Sequence, residues 1–441
     1  MSLLDHPRVN RLAGELVSAV DKPEQISVDD RNSWRLLEQM ACLLILFLLG
    51  WRLMLRSGMT FGFLAALLMC PIWIGVIRRY RHGALLFVAA MITLGSGLVL
   101  SAFARQEYRY VSIGSVIAES NLWIGTMAGV GVMLWARSLL KLSWISVAFG
   151  LGMLLRNITH PDELAATNGW KFIYSIPLTV IALGIASSHR SRRASLVVLV
   201  VLAGVSAVLD SRSLLGTLML SAVLVGWQLR PRSGSRPLAW GWSVVLLAGL
   251  AAAIYNLATS LMLEGYLGET IQQRSQVQVR TAGSLILGGR PELAASLALF
   301  THDPRGFGLG VAPNIHDLMV AKTGMTKINY DPDNGYVDRY MFGGHVELHS
   351  TAGDMWAMFG LAGIAMAVLI GLLGIRGVAH SMSARDGNSL LIFTVCFTLW
   401  NLPFGPLYAS VPTLILALGL MLSTRDGNRE TFSHDPPQDG V

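Results

Sequence analysis

The chain predicts an all-α polytopic integral membrane protein of about twelve transmembrane helices, with one large extracytoplasmic loop between the ninth and the tenth. Three observations carry that expectation. Hydrophobic residues make up 53% of the sequence and charged ones only 14%, against roughly 25% charged in soluble domains. Apolar runs approaching the ~20 residues that a bilayer-spanning helix needs recur along most of the chain. Lys and Arg fall unevenly in the loops between those runs, as a fixed orientation in a membrane requires.

Taken in order, residues 1–35 are polar and mixed in charge, without the apolar core of a cleavable signal, and read as a cytoplasmic tail. Nine spans are expected over residues 36–257: 36–55, 60–77, 83–103, 122–140, 143–155, 172–188, 194–209, 213–229 and 238–257. Residues 258–351 form the large loop. Three last spans, 352–375, 388–403 and 407–423, are followed by a polar cytoplasmic tail over 424–441. The run at 143–155 is short, and Pro403, Pro406 and Pro412 interrupt the last two.

With the N-terminus inside, the internal short loops hold thirteen Lys and Arg and the external ones six. Both ends are therefore expected in the cytoplasm, with Arg212 and residues 258–351 outside. The net charge of +7 is explained by these loop cations, and no nucleic-acid partner is expected. Cys42, Cys70 and Cys396 lie in apolar runs without CxxC spacing and read as small buried hydrophobes.

A loop of this length is normally functional. Tyr266 to Val279 and Pro291 to Phe300 suggest short helices, while HDPRGFGLG and DPDNG suggest turns rich in Gly, Pro, Asp and Asn. Gly343 and Gly344 precede a helix expected to start near His345 and enter the membrane.

Three features at the expected outer surface bear on chemistry: Arg212 in DSRSLLG, Arg290 in GGRPELAASLALF, and His349 in HSTAGDMWAMFGLAG. An imidazole with an ordinary pKa near 6.5 is available as a base at neutral pH. Guanidinium stays charged and presents a planar fork matched to phosphate oxygens. One histidine and two arginines suit removal of a proton from a hydroxyl while an anionic phosphate departs, with no metal or other cofactor required. Each residue also has a plainer reading: Arg212 as a snorkelling anchor, Arg290 as a solvated loop charge, His349 as an interfacial cap. Asp354 reads as a bond to a neighbouring helix or as part of the site lining. HVELH sets His345 and His349 four apart, but Glu347 has the wrong offset for HExxH and a third ligand is lacking. Asp331 and Asp333 resemble a metal-binding DxD, yet their DPDNG setting favours a turn. Asn157–Ile158–Thr159 fits an N-glycosylation sequon.

His349–Ser350, nine residues, then Gly360–Leu361–Ala362–Gly363 resembles the signature of the O-antigen ligase and O-antigen polymerase superfamily of membrane glycosyltransferases. SRSLLGTLML is similar to that family's arginine helix, carrying its arginine onto Arg212. GGRPELAASLALFTHDPRGFGLGVAPN is similar to its second arginine segment, carrying that role onto Arg290, with Arg280 as the alternative. The resemblance covers about residues 194–375. The family usually has a small residue after its Ser-Arg, and here Ser213 precedes two leucines; Val311 to Asn314 lack its usual aromatic.

The resemblance implies a metal-independent inverting glycosyltransferase of the cytoplasmic (inner) membrane, working on its outer face in cell-envelope polysaccharide or lipopolysaccharide synthesis. The donor partner would be a glycan on undecaprenyl pyrophosphate, and the acceptor a hydroxyl on another glycan or lipid. His349 would be the general base, and Arg212 and Arg290 would bind pyrophosphate; Arg280, His345 and Asp354 are further site candidates. A ligase would move finished polysaccharide onto a lipid or protein, and a polymerase would move the growing chain onto the next lipid-linked repeat unit. A transporter or flippase is the alternative of a different class. Against it, the polar residues cluster at the surface rather than mid-membrane, and the two halves are unrelated.

Overall fold

The structure is a computed structural model of the 441-residue chain. It describes residues 28–106, 109–189, 191–229, 268–343, 346–385 and 388–425, with scattered positions between 245 and 266. Residues 1–42 and 43–441 are two separate units. Within the described part of the first lies only the start of α1 (Val28–Trp51), which continues into the second.

The chain is mostly helical, at 78%. Among the described residues, six stretches are long and apolar enough to cross a membrane: Asn32–Trp51, Gly83–Gln106, Ile113–Leu139, Leu142–Thr159, Trp170–Ser188 and Leu361–Ala384. Arg212–Trp227, Ser389–Phe404 and Leu407–Met421 are apolar but shorter.

After α1 comes a small antiparallel hairpin, β1 (Met54–Arg56) and β2 (Met59–Thr60), so the expected first span ends at Trp51 rather than at residue 55. The expected span 60–77 is two eight-residue helices, α2 (Phe61–Leu68) and α3 (Cys70–Ile77). Pro71 lies at the start of α3, where its missing N–H is harmless, but it disfavours continuous helix through Cys70. Then follow α4 (Gly83–Gln106), α5 (Ile113–Leu139), α6 (Leu142–Thr159), α7 (Ser175–Ser188), α8 (Arg192–Val208) and α9 (Arg212–Trp227). The expected span 238–257 falls almost entirely outside the described residues, as do residues 1–27 and 426–441 of the two expected tails.

Helix α4 turns Val88, Met91, Ile92, Val99 and Phe103 outward, and α8 does so with Val197, Val200 and Val201. Such continuous apolar faces are costly in water and suit contact with lipid. Helix α5 is buried along most of its length and forms the axis of the packing.

Past the undescribed stretch, the large loop segment folds into α10 (Glu269–Ala282), α11 (Leu285–Gly289), α12 (Glu292–His302) and α13 (Ile315–Thr326), with a π-turn over Tyr336–Met341. It has its own apolar core of Ala295, Leu299, Phe307, Met325, Val337, Met341 and Leu348. Trp356 and Ala104 join this core to the helices beneath. The expected turn over HDPRGFGLG forms: Gly306, Gly308 and Gly310 all have positive φ. Phe307 N and Gly308 N both donate to Ala357 O at 2.9 Å, and Ser101 Oγ donates to Leu309 O at 2.7 Å. A Cβ at Gly308 would stand 2.6 Å from Ser101 N, so the glycines seat this turn against the helices.

The last helices are α14 (Thr351–Phe359), α15 (Leu361–Ala384), α16 (Ser389–Phe404) and α17 (Leu407–Met421). Residues 352–375 are therefore not one helix. Gly360 has φ 65° and ψ −147°, a conformation open to glycine alone among common residues, and it breaks the run while hydropathy continues unchanged. The helix expected to start near His345 begins instead at Thr351, with Ser350 as its cap.

The prolines do not stop α16 and α17. Pro412 lies inside α17 and cannot bond the carbonyl four residues back, that of Tyr408; Arg52 Nη1 donates to it instead, at 2.8 Å. Pro177 in α7 likewise frees Ile173 O, which accepts from Asn157 Nδ2 at 2.9 Å. Neighbouring side chains thus restore bonds that proline removes. Asn157, the sequon residue, serves the fold here.

Candidate functional site

The site assembles where the large loop segment meets the start of α9 and of α14. Asp210 and His349, just before each helix, both have left-handed backbone, φ 46° and 52°. For a residue with a Cβ this is uncommon and often marks a functional position.

His349 is held from both sides. Leu348 N donates to Asp354 Oδ1 at 2.6 Å. Ser350 Oγ donates to Leu402 O at 2.9 Å and accepts from Gly353 N at 3.0 Å. The half-buried imidazole has Nε2 3.8 Å from Glu347 Oε1, and its ring lies 6.1 Å from that of Tyr336. His349 precedes α14 rather than lying on it, and His345 lies outside the described residues. Asp354 is 3% exposed and its second oxygen accepts from Leu407 N at 2.7 Å. It caps α17, whose own Pro406 provides no side-chain cap, and so ties the start of that helix to the residue before His349.

Tyr336 leads to the next group. Its hydroxyl donates to Glu292 Oε2 at 3.2 Å, and Glu292 Oε1 pairs with Arg290 Nη1 at 3.3 Å. Glu292 is 1% exposed, a burial that a carboxylate tolerates only when paired. Burial first, then Glu292, push the Tyr336 phenol well above its ordinary range. It is a fixed donor, not a base.

Arg212 opens α9. Its Nε pairs with Asp210 Oδ1 at 3.0 Å and Nη1 donates to Ser275 Oγ of α10 at 3.4 Å. Nη2 is buried and bonds to no described residue. A π-turn over Trp170–Tyr174 carries Lys171 and is tied beside it: Asn168 Nδ2 donates to Leu209 O at 2.6 Å and Trp170 Nε1 to Ser206 Oγ at 3.1 Å. The charges acting on Lys171 are Asp210, Arg290, Arg274 and Arg212. Arg212 and Arg290, 78 residues apart in sequence, are thus both near enough to Lys171 to act on its charge. Arg280 is exposed on the last turn of α10 and is not among those charges.

Lys171, Arg274, Glu292 and Tyr336 escape sequence reading. Lys171 counts there as one more loop cation, and nothing in the sequence singles out Glu292. The DPDNG turn forms as expected, with Asp333 N donating to Asp331 Oδ1 at 2.9 Å. Lys322 Nζ reaches Asp333 at 3.2 Å and Asp338 at 3.1 Å.

Arg212 thus keeps a buried, unbonded guanidinium nitrogen beside Asp210 and Ser275, and a chain of contacts runs from Arg290 through Glu292 and Tyr336 to the imidazole of His349. Comparisons with protein-family models, with curated proteins and with solved structures returned no match.

Proposed function

We propose that the chain is a metal-independent inverting glycosyltransferase that moves a glycan from undecaprenyl pyrophosphate to an acceptor hydroxyl. The observation that carries this reading is the contact chain from Arg290 through Glu292 and Tyr336 to His349, with Arg212 Nη2 left unbonded and Arg290, Arg274 and Arg212 all acting on the charge of Lys171. The resemblance of residues 194–375 to the O-antigen ligase and polymerase superfamily supports it.

In this reaction His349 takes the acceptor's hydroxyl proton. The oxygen attacks the anomeric carbon from the face opposite the leaving group, and the bond from that carbon to the pyrophosphate oxygen breaks. Configuration inverts, and the bond's electron pair leaves on the pyrophosphate, where Arg212 and Arg290 offset the new charge. Lys171 and Arg274 add to the field that holds the donor. Glu292 fixes Arg290 and Tyr336 together, and Tyr336 lies beside the imidazole. Arg212 as a bare snorkelling anchor does not account for a buried donor with no acceptor, since such a group costs roughly 1–3 kcal/mol.

The reading places the chain in the cytoplasmic membrane with about twelve spans, both ends inside and the site facing out. Its support is the Lys and Arg bias, together with the sorting of loops into two groups. Arg81 N donates to Ser423 O, and Arg137 Nη1 to Gly419 O and Leu422 O, so the loops expected inside pack together. Val111 pairs with Val311, and Leu407 with Asp354, which does the same for those expected outside. Ligase-type transfer and repeat-unit polymerisation share this chemistry and differ in acceptor. Purified chain given lipid-linked glycan and candidate acceptors tests the proposal and reads which product grows. Reconstituted vesicles that move a solute and make no product would replace it with transport.

A further inference from the structure

We propose that Arg52 and Arg156 form a second anion-binding site, at the end of α1 beside the first turn of α17, that takes a phosphate group. The inference goes beyond the proposed transfer reaction and does not depend on it.

Arg52 follows α1 and is 8% exposed. Its Nη1 donates to Tyr408 O at 2.8 Å, and its guanidinium carbon lies 4.3 Å from the Tyr408 ring centre. The carbonyl is the one that Pro412 frees. That bond alone does not call for a charge: the equivalent carbonyl freed by Pro177 is served by the neutral amide of Asn157. Arg52 Nε, moreover, is buried and bonds to no described residue. No described carboxylate lies within ion-pair distance. Helices α1 and α6 come close here, where a Cβ at Gly152 would stand 2.8 Å from Trp51 N, and Arg156, one turn further along α6, acts on Arg52 as a like charge. Arg156, on the last turn of α6, is half-buried and donates to His160 O.

A buried guanidinium stays protonated, and burying it without an anion is costly. A second cation beside it raises that cost. An oxyanion that accepts from Nε and lies between the two guanidinium groups removes both penalties. Phosphate fits best, with several acceptor oxygens and the charge to face two arginines. It would come from a lipid headgroup or from a soluble phosphate.

The test uses the full-length chain in detergent, in an Arg212→Ala background so that the first cationic site does not contribute. Unfolding temperature is followed at fixed ionic strength against short-chain phosphatidylglycerol and, separately, inorganic phosphate. At least one should raise it saturably. A rise with the lipid alone assigns a headgroup, and a rise with both assigns phosphate itself. Arg52→Gln, which keeps an amide donor for Tyr408 O, should weaken the apparent affinity about tenfold or more. Arg156→Gln, which leaves the Tyr408 bond untouched, should weaken it about threefold and decides the matter if the first variant does not fold. No rise with either probe, or titrations unchanged by the substitutions, overturns the proposal.

Discussion

The imidazole of His349 lies against the ring of Tyr336, their centres 6.1 Å apart and their planes tilted by 42°. Tyr336 in turn reaches Glu292, and through it Arg290. One phenol therefore joins the expected base to the expected anion receptor, across residues that lie far apart along the chain.

Tyr336→Phe keeps the ring beside His349 and removes the donor to Glu292. A buried carboxylate oxygen losing its partner costs about 1–3 kcal/mol, so the variant should melt several degrees lower in detergent. Arg290 then loses its fixed position, and transfer should fall about tenfold at unchanged pH optimum. An unchanged melt and rate would remove Tyr336 from the site's frame.

Arg212→Lys should fail nearly as badly as Arg212→Ala, both losing about a hundredfold in transfer rate. An ammonium is a point charge and cannot serve Asp210, Ser275 and a phosphate oxygen from one plane. Rescue by lysine to near wild-type rate counts against that geometry.

Asp354→Asn should destabilise the chain by about 3 kcal/mol, read as a fall in unfolding temperature. Both carboxylate oxygens accept from buried backbone N–H groups, of Leu348 and Leu407, and an amide would present its own N–H to one of them. A stable variant lacking only activity would instead assign Asp354 to the reaction.

Alkaline pH should destabilise the segment around the π-turn at Tyr336–Met341. The folded pKa of Tyr336 is raised by burial and Glu292, so above about pH 10 the unfolded chain gives up a proton that the folded chain keeps, and stability falls as pH rises. Lys322 acts in the same direction. Hydrogen bonds to Asp338 and Asp333 raise its pKa, so its contribution is present below about pH 10.4 and is lost as pH climbs through the raised value. Phenolate absorbance against pH should show one fewer late-titrating tyrosine in Tyr336→Phe, and a shallower alkaline loss of stability.

Hydropathy made the helical class legible, because lipid contact demands long apolar faces such as that of α4. It concealed the breaks in two expected spans. Gly360 changes backbone direction without changing polarity, and the run continues on both sides of it. Cys70–Pro71 carried a local signal that the apolar count outweighed. Pro412 misled in the other direction: a proline interrupts a helix only if its freed carbonyl goes unmet, and Arg52 meets that of Tyr408 from far away in sequence. Of the residues proposed for the site, Arg212, Arg290 and His349 stand out in the sequence because each sits in a patterned stretch. Lys171, Arg274, Glu292 and Tyr336 come from four separate elements with no shared spacing, and only the folded chain brings them together.

The central claim is that this cluster moves a glycan from a lipid pyrophosphate using His349 as base. Purified protein in EDTA, with lipid-linked glycan and acceptor, should make product, and His349→Ala should lower the rate at least a hundredfold while leaving expression and melting unchanged. Wild-type transfer by His349→Ala would contradict the base assignment, and activity lost in EDTA but restored by Mg²⁺ or Mn²⁺ would contradict metal independence and turn attention to Asp331 and Asp333.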